Sequence, residues 1–251
     1  MLSIQSLTKL YDGIPVIDNV TFDIPKGRIT SLIGPNGAGK STVLSVAARL
    51  IAAEHGDVLF KGQSVQRWNT QALAKHLAVL TQSNNVQMKV TVRELVGFGR
   101  FPHSGTRLND KDHQLIDEAI DFMGLKPFAD RFIDEMSGGQ RQRAFIAMVL
   151  AQDTDVIFLD EPTNNLDIRH SLSMMKRLRR LADEWGKTII LVLHELNLAS
   201  SYSDHICAFK DGRLAFEGTP REVMTAERLR EVYDVDFRII DIEGRPMALY
   251  H

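Results

Sequence analysis

The sequence has one cysteine, no excess of basic residues and no long apolar run. With Cys207 alone among 251 residues, no disulfide can form within the chain, and a reducing compartment suits it. The apolar neighbours of Cys207, Ile206 and Ala208, predict a small buried residue rather than a reactive thiol. The formal net charge of −2 gives no indication of a nucleic acid or anionic lipid partner.

Apolar segments are too short to cross a membrane. A membrane helix needs about 18 apolar residues, whereas the run 188–193 is far shorter and predicts a buried parallel strand. The first residues, Met1-Leu2-Ser3, begin neither the charged region nor the long apolar region of a signal peptide. If the protein works at a membrane, we expect other chains to supply the span.

Strand-like and helix-like segments alternate, except in one helical stretch. The 44% hydrophobic and 25% charged composition fits one globular unit. Apolar runs and helical spacing predict strands at 20–24, 29–33, 57–60, 77–81, 156–159 and 188–193, and helices at 40–53, 110–123, 141–151 and 167–185. The sequence therefore predicts a single α/β domain over 1–251, with a core at 1–89 and 153–251 and an inserted helical subdomain at about 90–152. We expect the tail, 206–251, to close the sheet with short strands and helices.

A glycine-rich motif lies between a predicted strand and a predicted helix. It matches the pattern G-x-x-x-x-G-K-[ST] without a mismatch and comprises Gly34, Pro35, Asn36, Gly37, Ala38, Gly39, Lys40 and Ser41, with Thr42 next. Backbone N–H groups of such a loop and the start of its helix bind phosphate. We expect Lys40 to neutralise the β- and γ-phosphates of ATP and the Ser41 hydroxyl to ligate Mg²⁺.

Two acidic residues end the apolar strand at 156–159. Asp160 is expected to hold Mg²⁺, directly or through water. Glu161, one residue later, is placed to polarise the attacking water as a general base. Solvated acids at a strand end would be the better interpretation without the preceding phosphate loop.

A second glycine motif gives the chain a family resemblance. Ser137-Gly138-Gly139-Gln140 lies 97 residues after Lys40 and shortly before the strand with the two acids. This order resembles the ATP-binding-cassette (ABC) ATPases, whose fold has a RecA-like P-loop core, an N-terminal antiparallel β-subdomain and an inserted α-helical subdomain. The resemblance implies a head-to-tail dimer, in which Ser137, Gly138, Gly139 and Gln140 of one copy grip the γ-phosphate held by the other. Met136 stands where the family usually has Leu, which preserves an apolar residue of similar size.

The same resemblance assigns roles to four further residues. Tyr11 matches the aromatic residue that stacks on adenine, although a half-buried strand tyrosine is the alternative. Gln82 matches the glutamine that contacts Mg²⁺ and the attacking water, and it begins the loop that senses the membrane partner. His194 matches the switch histidine that contacts the γ-phosphate, and Asp167 belongs to the loop that bridges the two copies.

Other stretches resemble one group within the family, the iron-chelate and vitamin B12 importers. Gly99-Arg100-Phe101-Pro102-His103 follows the glutamine loop as in that group, and the pair Asn164-Asn165 resembles its catechol-siderophore branch. The resemblance implies a separate membrane permease, an indirect substrate-binding protein, and a peripheral position on the cytoplasmic face of the bacterial inner membrane. Heme, vitamin B12 or another metal chelate remain alternative cargoes.

The sequence features also bear on four alternative classes of function. DNA-repair members carry long coiled coils between their two motifs, whereas this chain has no heptad run in that interval. Translation-associated members carry two cassettes, and this chain has one. A regulatory module without catalysis is disfavoured because Lys40, Asp160, Glu161 and His194 are all present. An iron–sulfur assembly ATPase without a permease stays open as an alternative.

Overall fold

The computed structural model describes residues 2–82, 89–164 and 166–250. Their strands are β1 (Leu2–Tyr11), β2 (Ile14–Ile24), β3 (Ile29–Ile33), β4 (His55–Phe60), β5 (Gln63–Ser64), β6 (Leu77–Leu80), β7 (Val156–Asp160), β8 (Thr188–Val192), β9 (His205–Lys210), β10 (Arg213–Gly218), β11 (Arg238–Ile242) and β12 (Arg245–Leu249). Their helices are α1 (Lys40–Ala47), α2 (Thr70–Ala74), α3 (Val92–Phe98), α4 (Phe101–Ser104), α5 (Asp110–Phe122), α6 (Gly138–Ala151), α7 (Ile168–Trp185), α8 (Leu196–Tyr202), α9 (Pro220–Val223) and α10 (Ala226–Tyr233).

A six-stranded sheet organises the molecule, with strand order β10-β9-β3-β8-β7-β6. Its strands are parallel except for β10, which pairs antiparallel with β9. Every residue of β3, β7 and β8 is buried, as expected for central parallel strands covered on both faces. Since parallel strands end at the same edge, the loops after β3, β8, β7 and β6 lie side by side.

Alternate residues of the central strands enter two separate hydrophobic cores. In β8, Ile189 and Leu191 belong to the core shared with the helical segments, whereas Ile190 and Val192 belong to the core shared with α1 and the N-terminal strands. This period of two is the pleat of a strand with both faces covered. The sheet is therefore the middle layer between a helical layer and a β-rich layer.

The N-terminal strands form an antiparallel sheet of their own, with order β2-β1-β4-β5. Together with α1 they cover one face of the central sheet. This arrangement matches the predicted N-terminal antiparallel β-subdomain, and the mixed α/β fold that the sequence predicts is confirmed. No helix built from the described residues combines the length and the apolar character that a membrane crossing requires.

Helices α3 to α6 pack on one another through a buried ion pair as well as apolar contacts. Arg100 donates from Nε to Asp112 Oδ1 of α5 at 2.8 Å and from Nη1 to the carbonyl of Ala151, the last residue of α6, at 2.8 Å. The side chains of Arg100 and Asp112 are 5% and 2% exposed. Because both charges are desolvated and paired, removal of either one would leave a costly buried charge.

Several sequence-based boundaries differ from the structure, and β2, for example, begins at Ile14 rather than at residue 20. The predicted helix 40–53 ends at Ala47, because Arg49 takes a left-handed conformation (φ 58°) and donates to the carbonyls of Val65 and Trp68. Helix α6 begins at Gly138 rather than Arg141, since Ser137 caps it. In the tail, β9 and β10 extend the central sheet as expected, whereas β11 and β12 form a separate hairpin that packs on α8.

Candidate functional site

The predicted site residues converge at the carboxyl edge of the central sheet. The glycine-rich loop follows β3, His194 follows β8 by two residues, Asp160 ends β7, and Gln82 follows β6 by two residues. The strand order β3-β8-β7-β6 places these four loops next to one another. Residues far apart in the sequence are thus brought together by the order in which the strands pair.

Two glycines of the phosphate loop are required by close backbone contacts. Gly34 has φ 142°, and a Cβ atom there would collide with the carbonyl oxygen of Phe209 in β9. Gly39 has φ 91°, and a Cβ atom there would lie 2.6 Å from the carbonyl oxygen of Val16. A side chain at either position would displace the loop from β9 or from the N-terminal sheet.

The helix that follows the loop begins without a side-chain cap from any described residue. The first N–H groups of such a helix need acceptors from outside the helix, and bound phosphate supplies them at other helix starts. Lys40 is 5% exposed, and its Nζ donates to the carbonyls of Gly34 and Pro35, each at 2.8 Å. The lysine ammonium group is therefore held against the loop itself.

Ser41 and Asp160 meet across the space between β3 and β7. The Ser41 hydroxyl donates to Asp160 Oδ1 at 2.9 Å. A hydroxyl oxygen and a carboxylate oxygen in contact form a hard-oxygen pair of the type that Mg²⁺ prefers. The donor set of these two residues therefore fits the predicted magnesium site.

Glu161 is the residue on which three other side chains converge. Gln82 Nε2 and Asn164 Nδ2 each donate to Glu161 Oε2 at 2.8 Å. His194 Nε2 lies 2.6 Å from Glu161 Oε1. The Glu161 carboxylate is thus oriented by side chains from the loops after β6, β7 and β8.

Glu161 also has an unusual backbone conformation. Its φ of 52° is left-handed, which costs free energy for a residue with a side chain. Two backbone hydrogen bonds hold it there, from Glu161 N–H to the carbonyl of Val192 at 3.2 Å and from Asn164 N–H to the carbonyl of Glu161 at 3.1 Å. Such strain commonly accompanies functional side chains that must point in one direction.

Burial shifts the pKa values of Lys40 and Asp160 in opposite directions. Burial lowers the pKa of Lys40, while the charges of Glu161 and Asp160 act to raise it. Burial raises the pKa of Asp160, which is 6% exposed, and the hydrogen bond from Ser41 acts to lower it. Both groups therefore depend on neighbouring opposite charges to keep their ionised forms.

The Ser137 loop is completed within its own chain by a capping box. Ser137 Oγ accepts from Gln140 N–H at 3.3 Å, and Ser137 N–H donates to Gln140 Oε1 at 3.0 Å. Ser137 and Gly138 are exposed, and Met136 is buried in the helical core, so the apolar position before the loop keeps its role. A Cβ atom at Gly139 would lie 3.1 Å from Leu166, which places the loop beside the segment after β7.

Neither Tyr11 nor Asp167 is among the described side chains that bond to Glu161. Tyr11 ends β1, is 47% exposed, and has Lys9 Nζ at 5.2 Å from its ring centroid. Asp167 caps α7 by accepting from His170 N–H at 2.8 Å. Of the other predicted features, Asn165 and the segment 83–88 directly after Gln82 lie outside the described residues.

Sequence reasoning missed two contributions. In the sequence, Asn164 is only part of a subgroup resemblance, whereas in the structure its amide is the third group bonded to Glu161. The stretch from Gly99 to His103 resembles a group of importers in the sequence. In the structure Arg100 forms the buried ion pair with Asp112, and His103 Nε2 lies 3.0 Å from the carbonyl of Gln152. The signal for the Asn164–Glu161 contact in the sequence is the spacing of three residues between them.

Comparison with known proteins places the chain in a family. The family model described as "ABC transporter" matches residues 17–164. The chain belongs to the ABC transporter family. It is 46% identical over 250 residues to the petrobactin import ATP-binding protein YclP of Bacillus subtilis (strain 168), covering 100% of this chain and 99% of that protein. It is 42% identical over 241 residues to the iron(3+)-hydroxamate import ATP-binding protein FhuC of the same organism, covering 95% and 90%.

A solved structure extends the comparison to the fold of this ABC protein. The dimeric structure of MJ0796, a bacterial ABC transporter cassette, matches with a TM-score of 0.79 and 29% identity, covering 87% of this chain and 98% of that one. The predicted family and fold are thus confirmed. The chain is a nucleotide-binding ATPase subunit of this family.

Proposed function

We propose that this chain is the ATP-hydrolysing subunit of an importer for iron–siderophore complexes, with Glu161 as the general base. The observation that carries the catalytic part is the set of hydrogen bonds from Gln82, Asn164 and His194 to the Glu161 carboxylate. A carboxylate fixed from three loops is suited to take a proton from one water molecule in a defined position.

The residues around the phosphates have separable tasks. Lys40 would exchange its two carbonyl partners for the β- and γ-phosphates, which are stronger acceptors. The uncapped start of α1 would donate backbone N–H groups to the same phosphates. Ser41, Asp160 and Gln82 would hold Mg²⁺, which supplies charge neutralisation of the triphosphate when bound. His194 would contact the γ-phosphate from the loop after β8.

A second copy of the chain would complete each site. Ser137 Oγ already accepts the hydrogen bond from Gln140, so its O–H remains a donor for an anionic oxygen. Gly138 and Gly139 would add backbone donors at the start of α6. In this arrangement the stretch at about 90–152 acts as a subdomain that carries the Ser137 loop, between core segments 1–89 and 153–251. Asp167 would lie at the joint between copies, and Tyr11 would stack on adenine.

The import assignment rests on the relatives and on the sequence resemblance. The compared relatives are named as import ATP-binding proteins for petrobactin and for an iron(3+)-hydroxamate, and each is matched over at least nine-tenths of its length. A separate permease would receive the motion at the surface that begins at Gln82 and includes the exposed rings of Phe98 and Phe101. We place the subunit at the cytoplasmic face of the inner membrane, with a substrate-binding protein as indirect partner.

Uptake of radiolabelled iron tests the proposal. Deletion of the gene should stop uptake of iron presented as a siderophore complex, and should spare growth on excess iron salts. The wild-type gene should restore uptake, Glu161→Gln should not, and Glu184→Gln, a change at an exposed helical carboxylate paired with Arg180, should restore it. Uptake of labelled iron is measured separately with a catecholate and with a hydroxamate siderophore, which identifies the siderophore class.

The same experiment separates the alternatives. If uptake of every iron chelate survives deletion in a strain without a second such ATPase, the cargo proposal is wrong. If only heme or vitamin B12 uptake is lost, that compound and not an iron–siderophore complex is the imported cargo. Loss of iron–sulfur enzyme activities with intact import would favour the assembly ATPase.

A further inference from the structure

Three metal-ligating side chains meet at the β9–β10 edge of the central sheet, away from the Glu161 cluster. His205 and Cys207 alternate on β9, and Glu217 on β10 is the cross-strand partner of Cys207. Residues at i and i+2 of a strand, and residues directly opposite across a pair, point to the same face. One imidazole, one thiol and one carboxylate are therefore presented on one side of this edge.

The distances between the ligand atoms suit a single ion. The imidazole nitrogen, thiol sulfur and carboxylate oxygen all lie within 4.8 Å of one another. His205 Nε2 and Glu217 Oε2 are 3.4 Å apart. Ligand atoms around tetrahedral Zn²⁺ lie about 3.5 Å apart, given metal–sulfur and metal–nitrogen bonds of about 2.3 and 2.0 Å. Because the ligand atoms are bounded only at 4.8 Å, binding would require the imidazole and the carboxylate to approach the thiol.

The surroundings provide both rigidity and access. Cys207 is fully buried in the core that α1 and the N-terminal strands share, and burial raises the pKa of its thiol, so a bound ion must displace the thiol proton. Its strand is held on both sides by β3 and β10. The side chains of His205 and Glu217 are 18% and 42% exposed, which leaves an entry path from solvent on the carboxylate side. Glu222 lies close enough to interact electrostatically with His205, but its carboxylate already accepts from Thr219 N–H at 2.7 Å. Water would therefore supply the fourth ligand.

We propose that His205, Cys207 and Glu217 form a binding site for one divalent transition-metal ion, separate from the magnesium site. A set with one nitrogen, one sulfur and one oxygen ligand favours ions such as Zn²⁺ or Fe²⁺ over Mg²⁺ or Ca²⁺, which take oxygen ligands. The site does not depend on the import function, and its test uses no transport assay.

The test is a titration of the full-length, metal-stripped chain with Co²⁺ under reducing conditions and without nucleotide. Co²⁺ bound to a thiolate gives a charge-transfer absorption that an all-oxygen site cannot give, so binding at Ser41 and Asp160 is distinguished. We expect one equivalent with this absorption, displaced by Zn²⁺. Cys207→Ser should abolish the absorption, and Glu217→Gln and His205→Gln should each weaken binding about tenfold or more.

Two controls keep the result interpretable. Glu217→Gln changes a partly exposed side chain, so it tests the site even if Cys207→Ser disturbs the core. His76→Gln changes another histidine that pairs with a carboxylate, Asp155, and should leave Co²⁺ binding unchanged. Absence of the thiolate absorption in the folded wild-type chain, or unchanged affinity in both Glu217→Gln and His205→Gln, would overturn the proposal.

Discussion

The two loops expected to bind phosphate differ in how the helix that follows each of them begins. The loop after β3 starts a helix that no described side chain caps, and its Lys40 is almost fully buried. The Ser137 loop starts a helix with a full capping box, and Ser137 itself is exposed. The first loop has donors in need of an anion, whereas the second is already stable as a helix start.

This difference indicates that the two loops have different roles toward the nucleotide. A binding loop with unsatisfied donors gains most from a ligand. An exposed, capped loop keeps its shape without the ligand and can engage one held by another molecule. We therefore expect changes near Lys40 and Glu161 to act within one chain, and changes near Ser137 to act between chains.

Glu161→Gln should have the largest effect, because it removes the proposed base while preserving the shape of the side chain. We expect the hydrolysis rate to fall about 10²–10⁴-fold with little change in ATP affinity. Steady-state phosphate release and nucleotide titration measure the two quantities, with Glu184→Gln as the matched surface control. Wild-type turnover in Glu161→Gln would remove Glu161 from catalysis.

Arg100→Ala tests whether the buried ion pair with Asp112 stabilises the helices that carry the Ser137 loop. The change leaves Asp112 buried without its partner, so we expect a loss of about 3–5 kcal/mol in the free energy of unfolding. Arg93→Ala removes a more exposed pair with Asp117 and should cost about 0–1 kcal/mol in urea unfolding. Equal effects of the two changes would contradict the structural role of Arg100.

The same ion pair predicts a pH dependence of stability. Burial acts to raise the pKa of Asp112, but hydrogen bonds from Asn109, Ser104 and Arg100 outweigh it and lower that pKa to about 2. Because the folded pKa lies below the ordinary value of 3.8, this stabilisation is present above about pH 4 and is lost as the pH falls toward 2. Asp112→Asn should flatten the acid limb of the unfolding free energy measured against pH.

Lys40→Ala tests the binding loop directly. Loss of the ammonium group removes the proposed main cationic partner of the triphosphate and should weaken ATP binding by about 2–5 kcal/mol, or roughly 30-fold and more. Equilibrium titration with a fluorescent ATP analogue, at fixed Mg²⁺, measures the change. Near-wild-type affinity would refute the assignment of the phosphate loop.

Tyr11→Ala should have the smallest effect of this series. Loss of one stacking ring costs about 1–3 kcal/mol, so we expect ATP affinity to fall about tenfold. Tyr11→Phe keeps the ring and should bind ATP as the wild type does. If alanine and phenylalanine variants bind equally well, Tyr11 serves only the N-terminal sheet.

The motifs that are contiguous in the sequence were predictable from it. Their arrangement next to one another at the edge of the sheet was not. Short apolar runs predict the end of β3 at Ile33 and place the end of β7 one residue before Asp160, and the chemistry of Lys40 and Asp160 follows from their immediate neighbours. The order β3-β8-β7-β6 depends on pairing between distant segments, which no local pattern encodes.

Tertiary contacts also explain the individual errors. Helix α1 ends early because Arg49 bonds to carbonyls that lie 16 and 19 residues away in the sequence. In the sequence, Arg100 belongs to a stretch that resembles an importer group, and only the fold shows that it pairs with Asp112 in the interior. Residues of this kind carry stability, and a sequence resemblance cannot separate that role from a functional one.

ATP-dependent dimerisation of the Glu161→Gln chain tests the central claim most directly. Light scattering after size-exclusion chromatography should show a dimer with ATP and Mg²⁺ and a monomer with ADP. Adding Ser137→Arg should abolish the dimer while each monomer still binds ATP, because the lesion lies in the loop offered to the partner. A dimer that persists with Ser137→Arg, or a monomer that loses ATP binding through it, would contradict a site shared between two copies.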